Sequence, residues 1–337
     1  MKFRLWVLAA VILGGVSCQK AFLGDDMKST PRDNFQELWK TLDQKYSFFN
    51  YKQIDWNKVY TKYSCQINDS MSDTAMFRVF SGMLAELRDG HVNLTTPFDV
   101  SHYDKVFTCS AHNYNAKVIT NCYLKKDYCT TGPFYHQFIA GNQIGYIRYS
   151  SFMNTFSTSD IDYVTTRFKD LKGIIIDLRD NGGGYISSAF TLCSRFADQR
   201  RHVYTSYLKN GPGHEDFKSP EAIYMSPDGV TFTKKVCILT NRGSFSATSF
   251  FVLAMRNFPH VTVVGDTTGG GLGIPSGAEL PNGWCFRFSA SKTLSVKGEN
   301  FEDGIPPDVT VNLKNSDLIK GVDTIIEKAV TIILSGQ

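Results

Sequence analysis

The sequence predicts an α/β fold with a mostly parallel sheet, preceded by a small helical region. The short apolar runs GIIIDLR and KKVCILTN are typical of strands that are buried on both faces. Each run is followed by a helical pattern, ISSAFTLCSRFA and SATSFFVLAMRNF respectively, and strands that alternate with helices indicate a parallel layer. The chain has 337 residues, of which 42% are hydrophobic, so it can build a sizeable core.

The N-terminus, MKFRLWVLAAVILGGVSCQK, resembles a bacterial lipoprotein signal. A basic start precedes an apolar stretch that is too short to form a stable membrane anchor, and small residues then lead to Cys18. In such signals this cysteine is lipidated and becomes the mature N-terminus, whereas an ordinary secretory signal would be cut near Ser17. We expect a signal peptide over residues 1–18, a tether over residues 19–32, and a lipid-anchored protein of the cell envelope, in the periplasm or at the cell surface.

Residues 33–91 are predicted to form a helical N-terminal domain. Apolar side chains recur there at helical spacing, at Phe35, Leu38, Trp39, Leu42 and Tyr46. Residues 92–140 have a mixed pattern and connect this domain to a core over residues 141–337. Within the core, Asn282-Gly283 predicts a hairpin turn, and DTIIEKAVTIIL predicts a closing amphipathic helix.

Charge and cysteine content narrow the function classes. The net charge of +4 arises from 36 basic and 32 acidic residues spread along the chain, so we expect no nucleic-acid partner. The chain has seven cysteines besides Cys18, and an odd number leaves at least one thiol free. Cys109, Cys122 and Cys129 lie near His112, which leaves unpaired thiols, a disulfide or a zinc site open, although the spacing matches no compact zinc motif.

The first informative strand end is IIIDLRDNGGG, residues 174–184. Ligand sites of parallel α/β sheets gather at the carboxyl ends of strands. The three glycines allow the backbone to approach a ligand closely and to point N–H groups into a cleft. A tight strand-to-helix turn is the alternative. A nucleotide loop is disfavoured, because the spacing is not G-x-G-x-x-G and Tyr185 stands where a phosphate-binding lysine is needed.

The second strand end is TNRGSFSATSFFVLAM, residues 240–255. Ser246 is predicted on the first turn of a helix, where free N–H groups and the helix dipole can stabilise an oxyanion. A strand–turn–helix context of this kind positions nucleophilic serines, although the G-x-S-x-G spacing is absent. The alternative is that these hydroxyls only cap the helix.

Six motifs occur in an order that resembles a known peptidase family. They are LRDGHVNL, GYIRYSSF, GIIIDLRDNGGG, TNRGSFSATS, VVGDTTGGGLG and FEDGIPPDVTV. Over about residues 35–335 this order is similar to the C-terminal processing peptidases and to the catalytic core of tricorn peptidase. The resemblance implies a crotonase-like core of repeated ββα units. It also implies a serine endopeptidase that acts on unfolded or C-terminally exposed polypeptides.

The resemblance also implies the roles of the reacting groups. Ser246 matches the family's nucleophile, and Ala247 would supply one N–H of the oxyanion hole. Gly184 would supply the other N–H, with Gly183 as the second choice. No cofactor or metal ion is expected for this chemistry.

The base of the reaction divides the family into two branches. One branch uses a lysine in a T-x-G-K-G segment, but the matching residue here is Gly271. The tricorn-like branch uses a histidine ahead of the core, and His91 in RDGHVNL matches it. A glutamate near the G-I-x-P-D segment would orient this histidine; Glu302 is the first choice and Glu299 is held in reserve.

Two further expectations concern architecture and function. Only about 50 residues separate His91 from Gly141, and a PDZ domain needs on the order of 80–100, so none is expected. The alternative function is a non-catalytic crotonase-like module that binds an apolar ligand or peptide. An envelope lipoprotein with a decayed site is a third possibility. A meeting of Ser246 with His91 would favour the enzyme over both.

Overall fold

A computed structural model of the protein describes residues 29–335. The predicted signal peptide and the lipidation at Cys18 lie outside the described residues. The helices are α1 (Pro31–Lys45), α2 (Trp56–Ser64), α3 (Asp73–Ala85), α4 (Lys105–Thr108), α5 (Ala116–Val118, continued by a π-helical turn over Ile119–Leu124), α6 (Thr158–Phe168), α7 (Ile186–Ser194), α8 (Ala247–Met255), α9 (Asn315–Leu318) and α10 (Thr324–Ser335).

Strands form three sheets in the described part of the chain. The strands are β1 (Asn93–Thr95), β2 (Val100–His102), β3 (Cys129–Thr131), β4 (Phe134–Ile139), β5 (Ile144–Arg148), β6 (Gly173–Asp177), β7 (Arg201–Leu208), β8 (Glu221–Met225), β9 (Lys235–Thr240), β10 (Val261–Gly265), β11 (Pro275–Glu279), β12 (Cys285–Ser289), β13 (Ser291–Leu294) and β14 (Val309–Thr310).

The main sheet has the order β14-β10-β9-β6-β5-β4-β3. Strands β14, β10, β9, β6 and β5 are parallel, and β4 and β3 add an antiparallel edge. The two faces carry separate apolar clusters: Ile174 and Ile176 of β6 face one, and Ile175 faces the other, which includes α10. These features confirm the predicted α/β class.

The helical region begins at Pro31, two residues before the predicted boundary. Thr30 caps α1, since its hydroxyl accepts from the N–H of Asp33 and its own N–H donates to the Asp33 carboxylate. Proline at the first helical position suits this start, because its missing N–H would be unsatisfied there anyway. Helices α1, α2 and α3 share one apolar cluster that includes Phe35 and Phe80.

The predicted hairpin turn is confirmed, and the hairpin packs away from the main sheet. Gly283 lies at φ +84°, and its N–H donates to the oxygen of Leu280. Strand β12 pairs with both β11 and β1, and its residues Phe286 and Phe288 pack into the apolar cluster of the first three helices. This cross-connection fixes the loop before β1, which contains His91, against the core.

Residues 92–140 form short elements, and no PDZ domain is present in the described chain. All seven cysteines of the described part are unpaired. Cys109, Cys122 and Cys129 do not assemble with His112 into a metal-binding group there, so the structure does not support the zinc alternative. Across residues 29–335, no helix has the length and apolar character needed to cross a membrane.

Candidate active site

Ser246 occupies a strained turn between β9 and α8. Its φ of 57° and ψ of −120° lie in a region that residues with a side chain rarely adopt. Two loops hold this turn: the N–H of Phe245 donates to Asn181 O at 3.0 Å, and that of Ser246 donates to Gly270 O at 2.9 Å. The Ser246 side chain makes no capping hydrogen bond to α8. The strain therefore presents the hydroxyl outward instead of using it as a helix cap.

His91 reaches this hydroxyl from the loop before β1. Its Nε2 lies 2.9 Å from Ser246 Oγ, although 155 residues separate the two in sequence. The imidazole packs on the ring of Phe245, with ring centroids 4.7 Å apart. The main-chain N–H of His91 donates to Asp89 Oδ1 at 2.7 Å. Burial lowers the pKa of His91 below its usual value, so the ring is neutral and can accept a proton at neutral pH.

Two buried carboxylates lie behind the imidazole. One oxygen of Asp89, one of Glu302 and a ring nitrogen of His91 lie within 4.8 Å of one another. Glu302 Oε2 accepts the N–H groups of Leu272 and Gly273, at 2.7 and 2.9 Å. Burial, and then the charge of Asp89, raise the pKa of Glu302 well above its usual range.

The structure adds one residue that sequence reasoning missed and separates another from the site. Asp89 belongs to the RDGH motif itself, two residues before His91, and its Oδ2 accepts from Ser289 Oγ at 2.8 Å. The feature of the sequence that could have identified Asp89 is its position, two residues before the candidate base. Glu299, the reserve choice for the acid, instead accepts from Ser295 Oγ at 3.0 Å in a separate turn.

The loop after β6 that contains Gly183 and Gly184 lies directly against the strained turn at Ser246. A Cβ atom at Gly183 would lie 2.9 Å from both Ala247 N and Ser246 Cβ, and one at Gly184 would lie 2.2 Å from Met153 N. Both glycines also have positive φ, at 93° and 144°. Only glycine allows this approach, so the loop brings main-chain groups beside the first N–H of α8.

One N–H of this loop is already used within the protein. The N–H of Gly183 donates to Asn181 Oδ1 at 3.0 Å. The described hydrogen bonds include none from the N–H of Gly184 or of Ala247. This difference favours Gly184 over Gly183 as a donor to a ligand.

Gly271 shows why a lysine cannot replace the histidine here. A Cβ atom at this position would lie 2.4 Å from the Phe245 ring and 3.1 Å from His91 Cε1. The space that a lysine would need is therefore filled by the imidazole and the ring beneath it. The φ of +76° adds a second requirement for glycine.

We expect Gly271→Ala to displace the His91–Phe245 pair and to lower hydrolytic activity sharply. The positive φ alone should cost about 1–2 kcal/mol of unfolding free energy, and the contact with Phe245 should add to it. Gly298→Ala is the matched control, because Gly298 has φ +81° and a Cβ atom there would meet no atom of the described chain within 4 Å. Denaturant unfolding and peptide hydrolysis of both variants check this; equal activity in the two would contradict it.

Comparison with known proteins assigns the chain to one family. The sequence profile of peptidase family S41 matches residues 143–311, half of the chain. The chain belongs to peptidase family S41. The profile of the tricorn protease C1 domain matches residues 27–85 of this S41 member, which agrees with the predicted tricorn-like branch.

Named relatives support the same assignment. The carboxy-terminal processing protease CtpA of Bacillus subtilis strain 168 is 28% identical over 192 residues, 56% of this chain and 39% of the relative. A CtpA-like serine protease of Staphylococcus aureus is 32% identical over 174 residues, 50% of this chain and 34% of the relative. The S41 member thus spans less than two fifths of the length of these curated relatives.

A solved structure matches nearly the whole of this S41 member. It is the crystal structure of a candidate peptidase from Parabacteroides merdae ATCC 43184. The two chains share 42% identity and superpose with a TM-score of 0.87, covering 91% of this chain and 98% of the other. The family resemblance predicted from the motifs is therefore confirmed.

Proposed function

We propose that this S41 peptidase is a serine endopeptidase that hydrolyses unfolded or C-terminally exposed polypeptides through an acyl-enzyme on Ser246. The observation that carries the proposal is the distance of 2.9 Å between His91 Nε2 and Ser246 Oγ, at the strained turn between β9 and α8. Serine needs such a base at neutral pH, because its hydroxyl is otherwise a weak nucleophile. A module that only binds an apolar ligand has no use for this arrangement.

Acylation starts with transfer of the Ser246 proton to His91. The Oγ atom then attacks the scissile carbonyl, and the resulting oxyanion is held by the N–H of Ala247 and that of Gly184, with Gly183 beside it. Donors fixed in advance stabilise this charge without reorganising during the reaction. The imidazolium finally returns its proton to the leaving amine.

Deacylation repeats these steps with water as the nucleophile. His91 takes a proton from the water, which attacks the acyl-enzyme, and then protonates Ser246 as the acid product leaves. In both halves of the reaction the imidazolium needs a nearby negative charge. Asp89, whose charge raises the pKa of His91, supplies it from the buried side of the ring, and Glu302 lies beside it as an acceptor for the Nδ1 proton.

Glu302 is the better placed of the two acids to accept the Nδ1 proton of His91. Both oxygens of Asp89 are engaged, with the His91 N–H and with Ser289. The two N–H groups that Glu302 accepts both bind Oε2, which leaves Oε1 for the imidazole.

We expect Glu302→Gln to lower kcat/KM by roughly tenfold or more, since the amide oxygen must stay with the N–H groups of Leu272 and Gly273 and the amide nitrogen cannot accept the Nδ1 proton of His91. Glu299→Gln should leave kcat/KM unchanged, because Glu299 belongs to another turn. Steady-state kinetics on a peptide substrate compare the two variants. An equal loss in both, or none in Glu302→Gln, would remove Glu302 from the mechanism.

Labelling with a fluorophosphonate probe tests the function as a whole. The probe forms a covalent bond with an activated serine hydroxyl, so peptide mapping should find it on Ser246. Prior denaturation should abolish the labelling. Absence of label on native protein, or label on another residue, would overturn the proposal.

We also propose that the protein is attached to the membrane by a lipid on Cys18 and acts in the cell envelope. The signal-like N-terminus supports this placement. Metabolic labelling with palmitate, compared between the natural protein and Cys18→Ala, tests it. Equal incorporation in both would argue against lipidation at Cys18.

A further inference from the structure

A compact group of metal-ligand side chains lies behind the His91–Ser246 pair. Asp89, His91 and Glu302 each expose less than a tenth of their surface, at 2%, 6% and 3%. Their ligand atoms lie within 4.8 Å of one another. An imidazole with two carboxylates is a donor set that suits Zn²⁺.

Two further observations point to a ligand at this group. Nδ1 of His91 is fully buried and has no hydrogen-bond partner among the described residues, which is uncommon for a buried polar atom. A cavity of about 10 Å³, room for a single water or ion, borders Asp89 and Glu302. The imidazole and the cavity therefore adjoin the same two carboxylates.

The charges around the group favour a dication. Asp89 and Glu302 place two carboxylates at short range in a buried group, where their negative charges repel each other. Lys52 also acts on Glu302, but its ammonium is bound to Asp303 Oδ1 at 2.7 Å and to Arg88 O at 2.9 Å. A bound divalent ion would replace repulsion by attraction to both acids.

We propose that Asp89, His91 and Glu302 form a binding site for a divalent transition-metal ion, represented by Zn²⁺, and that the bound ion reversibly inhibits the peptidase. Zinc bonds of about 2.0–2.2 Å require the three ligand atoms to draw closer than they lie here. Small rotations of the three side chains toward one another would bring this about. The inhibitory part of the inference rests on the proposed function.

The tautomer of His91 explains the inhibition. Catalysis needs a lone pair on Nε2, so the proton of the neutral ring must sit on Nδ1. A metal ion bound at Nδ1 leaves the ring proton on Nε2. That nitrogen can then only donate to Ser246 Oγ, so the hydroxyl cannot be activated. Zn²⁺ also occupies the two acids that would stabilise the imidazolium.

Metal binding is tested without relying on activity, in the Ser246→Ala protein. Calorimetric titration with zinc chloride should show one ion per chain, and X-ray absorption should show nitrogen and oxygen ligands only. Adding His91→Ala to this background should weaken binding by roughly tenfold or more, whereas adding Glu299→Gln should not. Circular dichroism checks that each variant is folded. Sulfur ligands, or equal affinity with and without His91, would overturn the proposal.

Inhibition is tested on the natural protein with the fluorophosphonate probe and with a peptide substrate. Zinc chloride should suppress both readouts at concentrations that match its dissociation constant for Ser246→Ala, and EDTA should restore them. Undiminished labelling at saturating zinc would overturn the inference while leaving the peptidase intact. If Ser246→Ala binds zinc as expected but the natural protein never hydrolyses substrate, the proposed function fails and the metal site stands.

Discussion

Replacing Ser246 with alanine is expected to abolish hydrolysis of unfolded protein while leaving the fold intact. The substitution removes the only atom that we assign to bond formation, and losing a serine nucleophile costs on the order of 10³-fold or more in kcat. The hydroxyl makes no capping hydrogen bond to α8, so its removal should change the free energy of unfolding little. The measurement is release of fluorescent peptides from a labelled casein-like substrate, with thermal unfolding followed by circular dichroism.

Ser249→Ala is the matched control for this prediction. Ser249 is buried on the same helix, and its hydroxyl donates to Ser244 O and Thr268 Oγ1, at 3.3 and 3.2 Å, but not to His91. We expect Ser249→Ala to lower stability by about 1 kcal/mol and to retain hydrolysis. Wild-type rates in Ser246→Ala would show that another group is the nucleophile. An equal loss in Ser249→Ala would attribute the effect to packing of the helix.

The parts of the fold that sequence predicts well are local. The runs GIIID and KVCILT are buried along nearly their whole length in β6 and β9, which is the burial that a continuous apolar pattern predicts. The turn at Asn282-Gly283 follows from the conformational freedom of one glycine. These features depend on neighbouring residues, so a single sequence is sufficient to identify them.

The site depends on long-range contacts that periodicity cannot predict. His91 meets Ser246 because β12 pairs with β1, and nothing in the local pattern of either strand selects that partner. At the level of sequence, only the family resemblance indicated that these two residues form one site. Asp89 could not be identified from the sequence, because its proximity to Glu302 depends on the surrounding fold. The choice between Glu302 and Glu299 likewise needed the loop in which Glu302 binds Leu272 and Gly273.

Replacing His91 with alanine is expected to lower kcat by about 10³-fold or more while leaving Ser246 in place. The serine hydroxyl would then lack a base, so fluorophosphonate labelling should become slow but should still map to Ser246. His112→Gln is the matched control, because His112 is exposed and lies outside the site. Equal hydrolysis by His91→Ala and the natural protein would exclude the imidazole as the base.

The pH dependence of kcat/KM separates a base from a residue that only supports the structure. Burial lowers the pKa of His91, the charge of Asp89 raises it and that of Arg287 on β12 lowers it, and Glu302 is the other titratable group close to the ring. The neutral ring is the active form, so kcat/KM should fall as the pH drops through this pKa, with a midpoint below the usual value of about 6.5.

Arg287→Ala removes a positive charge that disfavours the imidazolium, so it should raise the pKa of His91 and move the midpoint to higher pH. Arg287 is exposed, and its removal should leave the fold unchanged. A flat profile down to mildly acidic pH, or a midpoint that Arg287→Ala moves to lower pH, would be incompatible with His91 as the group that titrates.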